Sequence, residues 1–144
     1  MTIKEIKKEN DRKKLYLKRY RRNLDLQKVI EEEIGQLRSA QMMPAGRNDG
    51  MPRGSKKTDL SDYAAKLDEM VGDLEREVMR GIDFRKEITG SISDLQNESE
   101  ILILRLKYIH GMTWEEVAEA SGYSLRSVKR IHGQALINLK IRKK

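Results

Sequence analysis

The sequence predicts an all-α fold, in which a long N-terminal helical hairpin or coiled coil is followed by a helix–turn–helix domain. Charged residues make up 37% of the chain and aromatic residues only 5%, which leaves little material for a β-sheet core. The two prolines, Pro44 and Pro52, lie with three glycines in one short segment, so long helices are unobstructed on either side. We therefore expect the hairpin or coiled coil over residues 1–93, with a flexible linker over 42–59, and the helix–turn–helix domain over 94–144.

Two long helices are predicted over residues 9–41 and 60–92, because residues spaced by three and four form one stripe along each segment. The first stripe mixes apolar and polar residues: Leu17, Tyr20, Leu24, Gln27, Glu31, Ile34 and Arg38. The second is mainly apolar: Leu60, Tyr63, Leu67, Met70, Leu74, Val78, Gly81, Ile88 and Ile92. At ~1.5 Å per residue both helices would be about 50 Å long, so we expect them to lie side by side. The sequence leaves open whether they pair within one chain or between two.

A third, shorter helix is predicted from Asn97 to His110. Asn97 is a good N-cap residue, and Glu100 three positions later would complete a capping box. The segment that follows is apolar on nearly every side: Ile101, Leu102, Ile103, Leu104, Leu106, Tyr108 and Ile109. A helix of this kind must be buried on more than one side. We expect one face to pack on the helix–turn–helix and another on the long helices.

The helix–turn–helix is predicted from the residues that can start and end its two helices. Thr113 and Glu116 have the spacing of a capping box, so a helix should start at Trp114. Gly122 can end that helix in a left-handed conformation, and Ser124 can cap the next one. The inward-facing residues then follow at helical spacing: Val117, Ala118, Val128, Ile131, Ala135, Leu136 and Leu139.

Positive charge is concentrated at the C-terminal end. The chain carries a net charge of +7, and residues 122–144 contain seven Lys or Arg and no Asp or Glu, which gives +7 in this segment alone. Residues 94–121 contain two basic and six acidic residues, which gives −4. A basic helix in a helix–turn–helix is the arrangement expected of a surface that faces DNA phosphates.

These patterns predict sequence-specific binding of double-stranded DNA by residues 124–133. The side chains expected to contact base edges are Leu125, Arg126, Ser127 and Lys129. The side chains expected to hold the DNA backbone are Thr113, Trp114, Arg130 and Lys140. Trp114 is also expected to pack within the domain, and His132 is expected to be either a phosphate contact or a structural one.

The motifs over residues 95–139 follow in the order L-x-x-E-x-x-I-L, R-L-K-Y-I-H-G, W-E-E-V-A, Y-S-L-R-S-V-K-R and A-L-x-x-L. This order resembles the fourth region of sigma-70-type RNA polymerase factors. The chain also resembles phage late-gene transcriptional regulators of the ArpU and RinA type, which carry a sigma-like C-terminal domain behind helical sequence. Their signature is matched by Tyr123, Ser124, Arg126, Val128, Arg130, His132, Ala135 and Leu136. The resemblance implies promoter-region DNA binding and transcriptional control. Because the other segments of a sigma factor are missing, promoter melting is not implied.

The sequence lacks the motifs expected of an enzyme, a metal-binding protein or a membrane protein. The chain has no cysteine, which excludes disulfides and thiolate metal sites, and its only histidines are His110 and His132. No catalytic set, metal site or cofactor site is expected, and we expect the protein not to be an enzyme. No run of 18 apolar residues and no secretory signal is present, so we expect a cytoplasmic protein without membrane contact, in a bacterial host cell if it is of phage origin.

Two alternatives to a transcription regulator remain. The chain could be a small terminase-like DNA-packaging adaptor, assembled into a ring of eight or more copies through its coiled coil. It could also be a structural coiled coil that binds only protein, such as RNA polymerase. The candidate partners are therefore double-stranded DNA, RNA polymerase and a second copy of the chain.

Overall fold

The computed structural model describes residues 1–42 and 56–142, and these residues contain helices and no strand. Helix α1 spans Ile3–Met42 and helix α2 spans Lys56–Ser93. Helix α3 spans Glu98–Leu104 and continues into a π-helical turn, Arg105–Ile109. Helix α4 spans Trp114–Ser121 and helix α5 spans Leu125–Asn138. The all-α prediction, with long N-terminal helices before a helix–turn–helix, is therefore confirmed.

Both long helices extend beyond their predicted bounds. Helix α1 begins six residues before the predicted start because Thr2 and Glu5 form a capping box, each backbone N–H donating to the other side chain at 3.2 Å. Helix α2 already includes residues 56–59, which were assigned to the linker. The linker predicted over 42–59 otherwise falls mainly on residues 43–55, which lie outside the described residues. No helix within 1–42 or 56–142 has both the length and the apolar character that a membrane crossing requires.

The chain divides into two compact units. One comprises Leu24–Met79, which contains the C-terminal part of α1 and the N-terminal part of α2. In this unit Ile34 is buried on α1, while Leu67, Met70 and Leu74 are half-buried at helical spacing on α2. Of the predicted stripes in this unit, these residues together with Leu24, Gln27 and Tyr63 are at least partly buried, whereas Glu31, Arg38, Leu60 and Val78 are exposed.

The other unit comprises Met1–Asn23 and Arg80–Lys144. Here the beginning of α1 lies antiparallel to the end of α2. The Tyr16 hydroxyl lies 3.0 Å from Ser91 Oγ, and an Arg19 guanidinium nitrogen lies 3.2 Å from Glu87 Oε1. In this unit, therefore, the long helices pair within a single chain.

Two apolar clusters hold the second unit together, and α3 with its π-helical turn lies between them. The larger cluster joins α1, α2, the π-helical turn and α5 through Tyr16, Leu17, Ile88, Ile92, Leu95, Leu104, Tyr108, Ile109, Ala135, Leu136 and Leu139. The smaller one joins α3, α4 and α5 through Ile103, Val117 and Val128, each with no exposed surface. The prediction that the 97–110 segment is buried on two sides is thus confirmed.

The prediction of one uninterrupted helix from Asn97 to His110 is wrong in its second half. The His110 N–H donates to the Arg105 carbonyl at 3.0 Å, a bond that spans five residues and defines the π-helical turn. The end of this turn is tied down from outside the helix. The Arg21 guanidinium donates to the Ile109 carbonyl at 3.3 Å, and Lys107 Nζ donates to the Met112 carbonyl at 3.1 Å.

Asn97 caps α3 as predicted, but Glu100 is not its partner. Asn97 Oδ1 accepts hydrogen bonds from the backbone N–H groups of Ser99 and Glu100 at 2.8 and 3.2 Å. The Glu100 carboxylate is buried and accepts two hydrogen bonds from the Asn138 amide, at 3.0 and 3.2 Å. Glu100 therefore links the start of α3 to the end of α5.

Candidate nucleic-acid interface

Three local features set the bounds of α4 and the start of α5, and all three were predicted. Thr113 and Glu116 form the capping box at the start of α4, with hydrogen bonds of 2.9 and 3.2 Å. Gly122 ends α4 with a φ of 78°, a left-handed conformation that costs a residue with a Cβ about 1–2 kcal/mol. Ser124 Oγ accepts the Ser127 N–H at 3.1 Å and caps α5.

The crossing of α4 and α5 is fixed by apolar contact. Val117 and Val128 are fully buried against Ile103 of α3. The partly buried residues packed around them are Leu106, Met112, Trp114, Ala118 and Ile131. The buried sides of both helices are therefore occupied, and the remaining face of α5 is directed to solvent.

The exposed face of α5 is basic in its first two turns. Arg126, Lys129 and Arg130 are exposed, and Leu125 keeps 37% of its surface. Ser127 is only half-exposed, and its hydroxyl lies 3.0 Å from Ser124 Oγ within the cap. Of the four residues predicted to contact bases, the structure thus brings three to one exposed surface and places the fourth beside the cap.

The four residues predicted to contact the DNA backbone lie at different places. Thr113 is exposed at the start of α4, and Trp114 beside it is half-buried in the smaller apolar cluster. Arg130 is exposed on α5. Lys140 follows the end of α5, where it lines a polar cavity together with Asp94, Leu95, Gln96, Asn97, Glu100 and Asn138. Thr113 and Trp114 are therefore neighbours, whereas Lys140 lies at the opposite end of α5 from Leu125.

His132 is a structural residue inside α5. Its side chain is buried, Nε2 lies 2.7 Å from the Tyr108 hydroxyl, and Trp114 packs edge-on with ring centroids 4.7 Å apart. Burial, together with the positive charges of Lys14, Lys107 and Lys18, lowers the pKa of His132 to about 4. The imidazole is therefore neutral at pH 7. This position supports the structural alternative for His132 and removes it from the phosphate-contacting surface.

Sequence reasoning missed the part played by α1 in supporting this domain. Lys13 Nζ donates to the carbonyl oxygens of Leu136 at 2.8 Å and Ile137 at 3.3 Å, in the last turn of α5. Carbonyls there have no partner within the helix, and a cation is favoured at that end of the dipole. The spacing of Lys13 to Leu17 and Tyr20 was the available signal, because it places Lys13 on the packed face of α1.

Comparison with known families agrees with this geometry. Residues 96–140 match a family model described as Sigma-70, region 4. Neither the comparison with curated proteins nor that with solved structures gave a match. The matched segment begins just before α3 and ends just after α5, so it contains the three helices whose packing was described above. It supports DNA binding and a role in transcription regulation in general. Residues 96–140 therefore form a helix–turn–helix domain that resembles region 4 of sigma-70 factors.

Proposed function

We propose that this protein regulates transcription by binding a specific sequence in double-stranded DNA through α5, and that its targets are late genes of a phage. The observation that carries the proposal is the exposed basic row of Arg126, Lys129 and Arg130. This row lies at the start of α5, which follows the left-handed turn at Gly122 and packs on α4 through Val117 and Val128. The first turns of the second helix in such a motif are the part that reaches base edges.

Each proposed base contact suits the chemistry of its side chain. The Arg126 guanidinium can donate two parallel hydrogen bonds to a guanine, and Lys129 can donate to the same acceptors. Leu125 offers apolar contact to a thymine methyl group. The Ser127 hydroxyl lies at the edge of this row, beside the cap of α5.

The proposed backbone contacts lie at the start of α4, on α5 and just after the end of α5. Thr113 and Trp114 lie at the N-terminal end of α4, where backbone N–H groups and the helix dipole favour a phosphate. Arg130 and Lys140 add positive charge on and after α5. Such contacts fix the register of the protein on the duplex, while the base contacts carry the sequence information.

The narrower part of the proposal, phage late genes, is supported by the signature Y-S-x-R-x-V-x-R-x-H-x-x-A-L over residues 123–136. This signature resembles that of the ArpU and RinA type. RNA polymerase and a second copy of the chain are the further partners that a regulator of this kind would use. The cytoplasm of the bacterial host is the compartment in which it would act.

The deciding experiment is selection of bound fragments by the full-length chain from a library of host and phage DNA, read out by sequencing. We expect enrichment of one motif upstream of a transcription unit, and its loss in the double variant Arg126→Ala/Lys129→Ala. The matched control is Arg85→Ala/Lys86→Ala, which removes two exposed charges from α2 and should keep the motif. Enrichment of no motif, or of the same motif by the double variant, would refute the proposal.

Light scattering of the full-length chain tests the assembly that the proposal requires. A monomer or dimer is the expected result. A closed ring of many copies would instead favour the DNA-packaging adaptor and overturn the assignment as a transcription regulator.

A further inference from the structure

A second basic surface lies beside the helix–turn–helix and is not part of its match. It consists of Lys14, Lys18 and Arg21 on α1 together with Lys107 of the π-helical turn, and we call it the lateral basic surface. The spacing of four and three residues places Lys14, Lys18 and Arg21 on the same side of α1. All four residues belong to one compact unit with α4 and α5.

Helix α1 is held against the DNA-binding domain by specific contacts, so the lateral basic surface has a fixed position. Lys13 donates to the carbonyls at the end of α5, as described above. Arg21 donates to the Ile109 carbonyl and lies against Gly111, where a Cβ would come within 2.5 Å of Arg21 Cζ. Gly111 also has a φ of 70°, so glycine suits both the turn and the close approach of Arg21.

The lateral basic surface reaches the start of α4. Lys107 Nζ lies 4.4 Å from the centroid of the Trp114 ring, and Trp114 is the first residue of α4. Burial lowers the pKa of Lys107 and the charge of Lys18 lowers it further, while Glu115 and Glu116 raise it. Lys107 Nζ also donates to the Met112 carbonyl at 3.1 Å, which holds its positive charge next to the helix end where a phosphate is expected.

The observation that indicates a partner is the concentration of positive side chains at a fixed position beside the start of α4. Lys14 has an ion pair with Asp11 at 3.7 Å, but both side chains are largely exposed, so that pair is screened by water. Like charges held together on a fixed surface destabilise the free protein and are relieved when an anion binds between them. Regularly spaced anions next to α4 are what a duplex bound by α5 would supply.

We propose that the lateral basic surface binds phosphates of the same duplex that α5 reads, and so extends the interface from the helix–turn–helix onto the N-terminal helix. This inference rests on the proposed function. Because phosphate contacts carry no sequence information, the lateral basic surface contributes affinity and salt dependence and leaves the recognised sequence unchanged.

The test is a salt titration of binding to a duplex of about 30 base pairs, using the full-length chain and the variant Lys14→Gln/Lys18→Gln. Each lost phosphate contact lowers the slope of log K against log salt by about 0.9, so we expect the slope to fall by roughly 2. The matched control is Lys8→Gln/Arg12→Gln, which removes the same amount of charge from a different side of α1. That side also contains Arg19, which pairs with Glu87 of α2. This control should keep most of the slope, because it tests net charge alone.

A third variant separates binding from folding. Lys14→Arg/Lys18→Arg keeps the charges and should retain the slope, and thermal unfolding followed by circular dichroism shows whether each variant is folded. If Lys14→Gln/Lys18→Gln is folded and has the same slope as the Lys8→Gln/Arg12→Gln control, the lateral basic surface does not bind the duplex. That result leaves the proposed function intact, whereas failure of the unmodified chain to bind any duplex overturns the proposed function itself.

Discussion

The Tyr108 hydroxyl lies 2.7 Å from Nε2 of His132 and joins the π-helical turn to the helix proposed to read DNA. Both side chains are buried, with 3% of Tyr108 and 6% of His132 exposed. A polar pair in such surroundings has no ready replacement by water, so each group depends on the other. This hydrogen bond therefore helps to fix the position of α5 relative to the π-helical turn.

Tyr108→Phe should lower the free energy of unfolding by about 1–3 kcal/mol, because it keeps the ring but leaves His132 without its partner. Tyr123→Phe is the matched control: its hydroxyl lies 2.6 Å from Ser99 Oγ, but this pair is exposed and water can replace it. The control should change stability by less than about 0.5 kcal/mol. Urea unfolding of both variants checks the difference, and equal losses would contradict the buried role of Tyr108.

Stability should fall as the pH drops from 6.5 towards 4. Burial lowers the pKa of His132 in the folded chain to about 4, against 6.5 when unfolded, so the unfolded state binds the extra proton between these values. The contribution is complete above pH 6.5 and declines below it, by roughly 3 kcal/mol at most. Urea unfolding at a series of pH values should show a shallower dependence of stability on pH in His132→Gln than in the unmodified chain. An unchanged dependence in His132→Gln would refute this assignment.

Thr113→Ala should lower the free energy of unfolding by about 1 kcal/mol, because the Glu116 N–H loses its acceptor at the start of α4. Thr113→Ser keeps a hydroxyl at the same position and should retain most of the stability. Chemical denaturation of both variants is the measurement. Equal destabilisation by alanine and serine would mean that the threonine methyl group, and not the cap, stabilises α4.

Gly122→Ala should destabilise the protein by about 1–2 kcal/mol, because its φ of 78° is unfavourable for a residue with a Cβ. Gly133→Ala should have the opposite effect on stability. Gly133 lies within α5 and a Cβ there would meet no atom within 4 Å, so alanine should raise stability by about 0.5–1 kcal/mol. Thermal unfolding should shift in opposite directions for the two variants. Shifts of the same sign would contradict the proposed roles of their backbone conformations.

Arg126→Ala and Arg130→Ala should weaken DNA binding in different ways. Loss of a bidentate base contact at Arg126 should cost about 1–3 kcal/mol and relax specificity at one base position. Loss of a phosphate contact at Arg130 should weaken binding to all sequences and reduce the salt slope by about 1. Competition binding against single-base variants of the selected site tests both. Uniform weakening by Arg126→Ala would reassign Arg126 to the DNA backbone.

The helix–turn–helix could be predicted from the sequence because its determinants are local. Thr113, Gly122 and Ser124 each act within a few residues of their own position, so their types and spacing are sufficient to locate the turn. Burial of the 97–110 segment on two sides could also be predicted, because the segment is apolar on nearly every side. The exposed basic face of α5 followed from placing the apolar residues inward.

The features that could not be predicted depend on residues far apart in the chain. Glu100 has the spacing of a capping-box partner for Asn97. Its carboxylate instead accepts hydrogen bonds from Asn138, because the fold brings this distant amide close to it. The end of the π-helical turn is likewise bound by Arg21, which lies 88 residues before Ile109. A local pattern predicts the groups that need partners but does not show which distant group supplies them.

Because Lys13 supplies donors to the last carbonyls of α5, the first helix completes the DNA-reading module that follows it much later in the sequence. An excised piece starting at residue 94 would lack that ammonium group and would uncover the apolar surface around Leu136. Stable folding of this piece should then require the missing helical segments to be added back, residues 3–23 of α1 and 80–93 of α2. By the same reasoning, a protein that bound α1 in place of this domain would prevent DNA binding without itself contacting DNA.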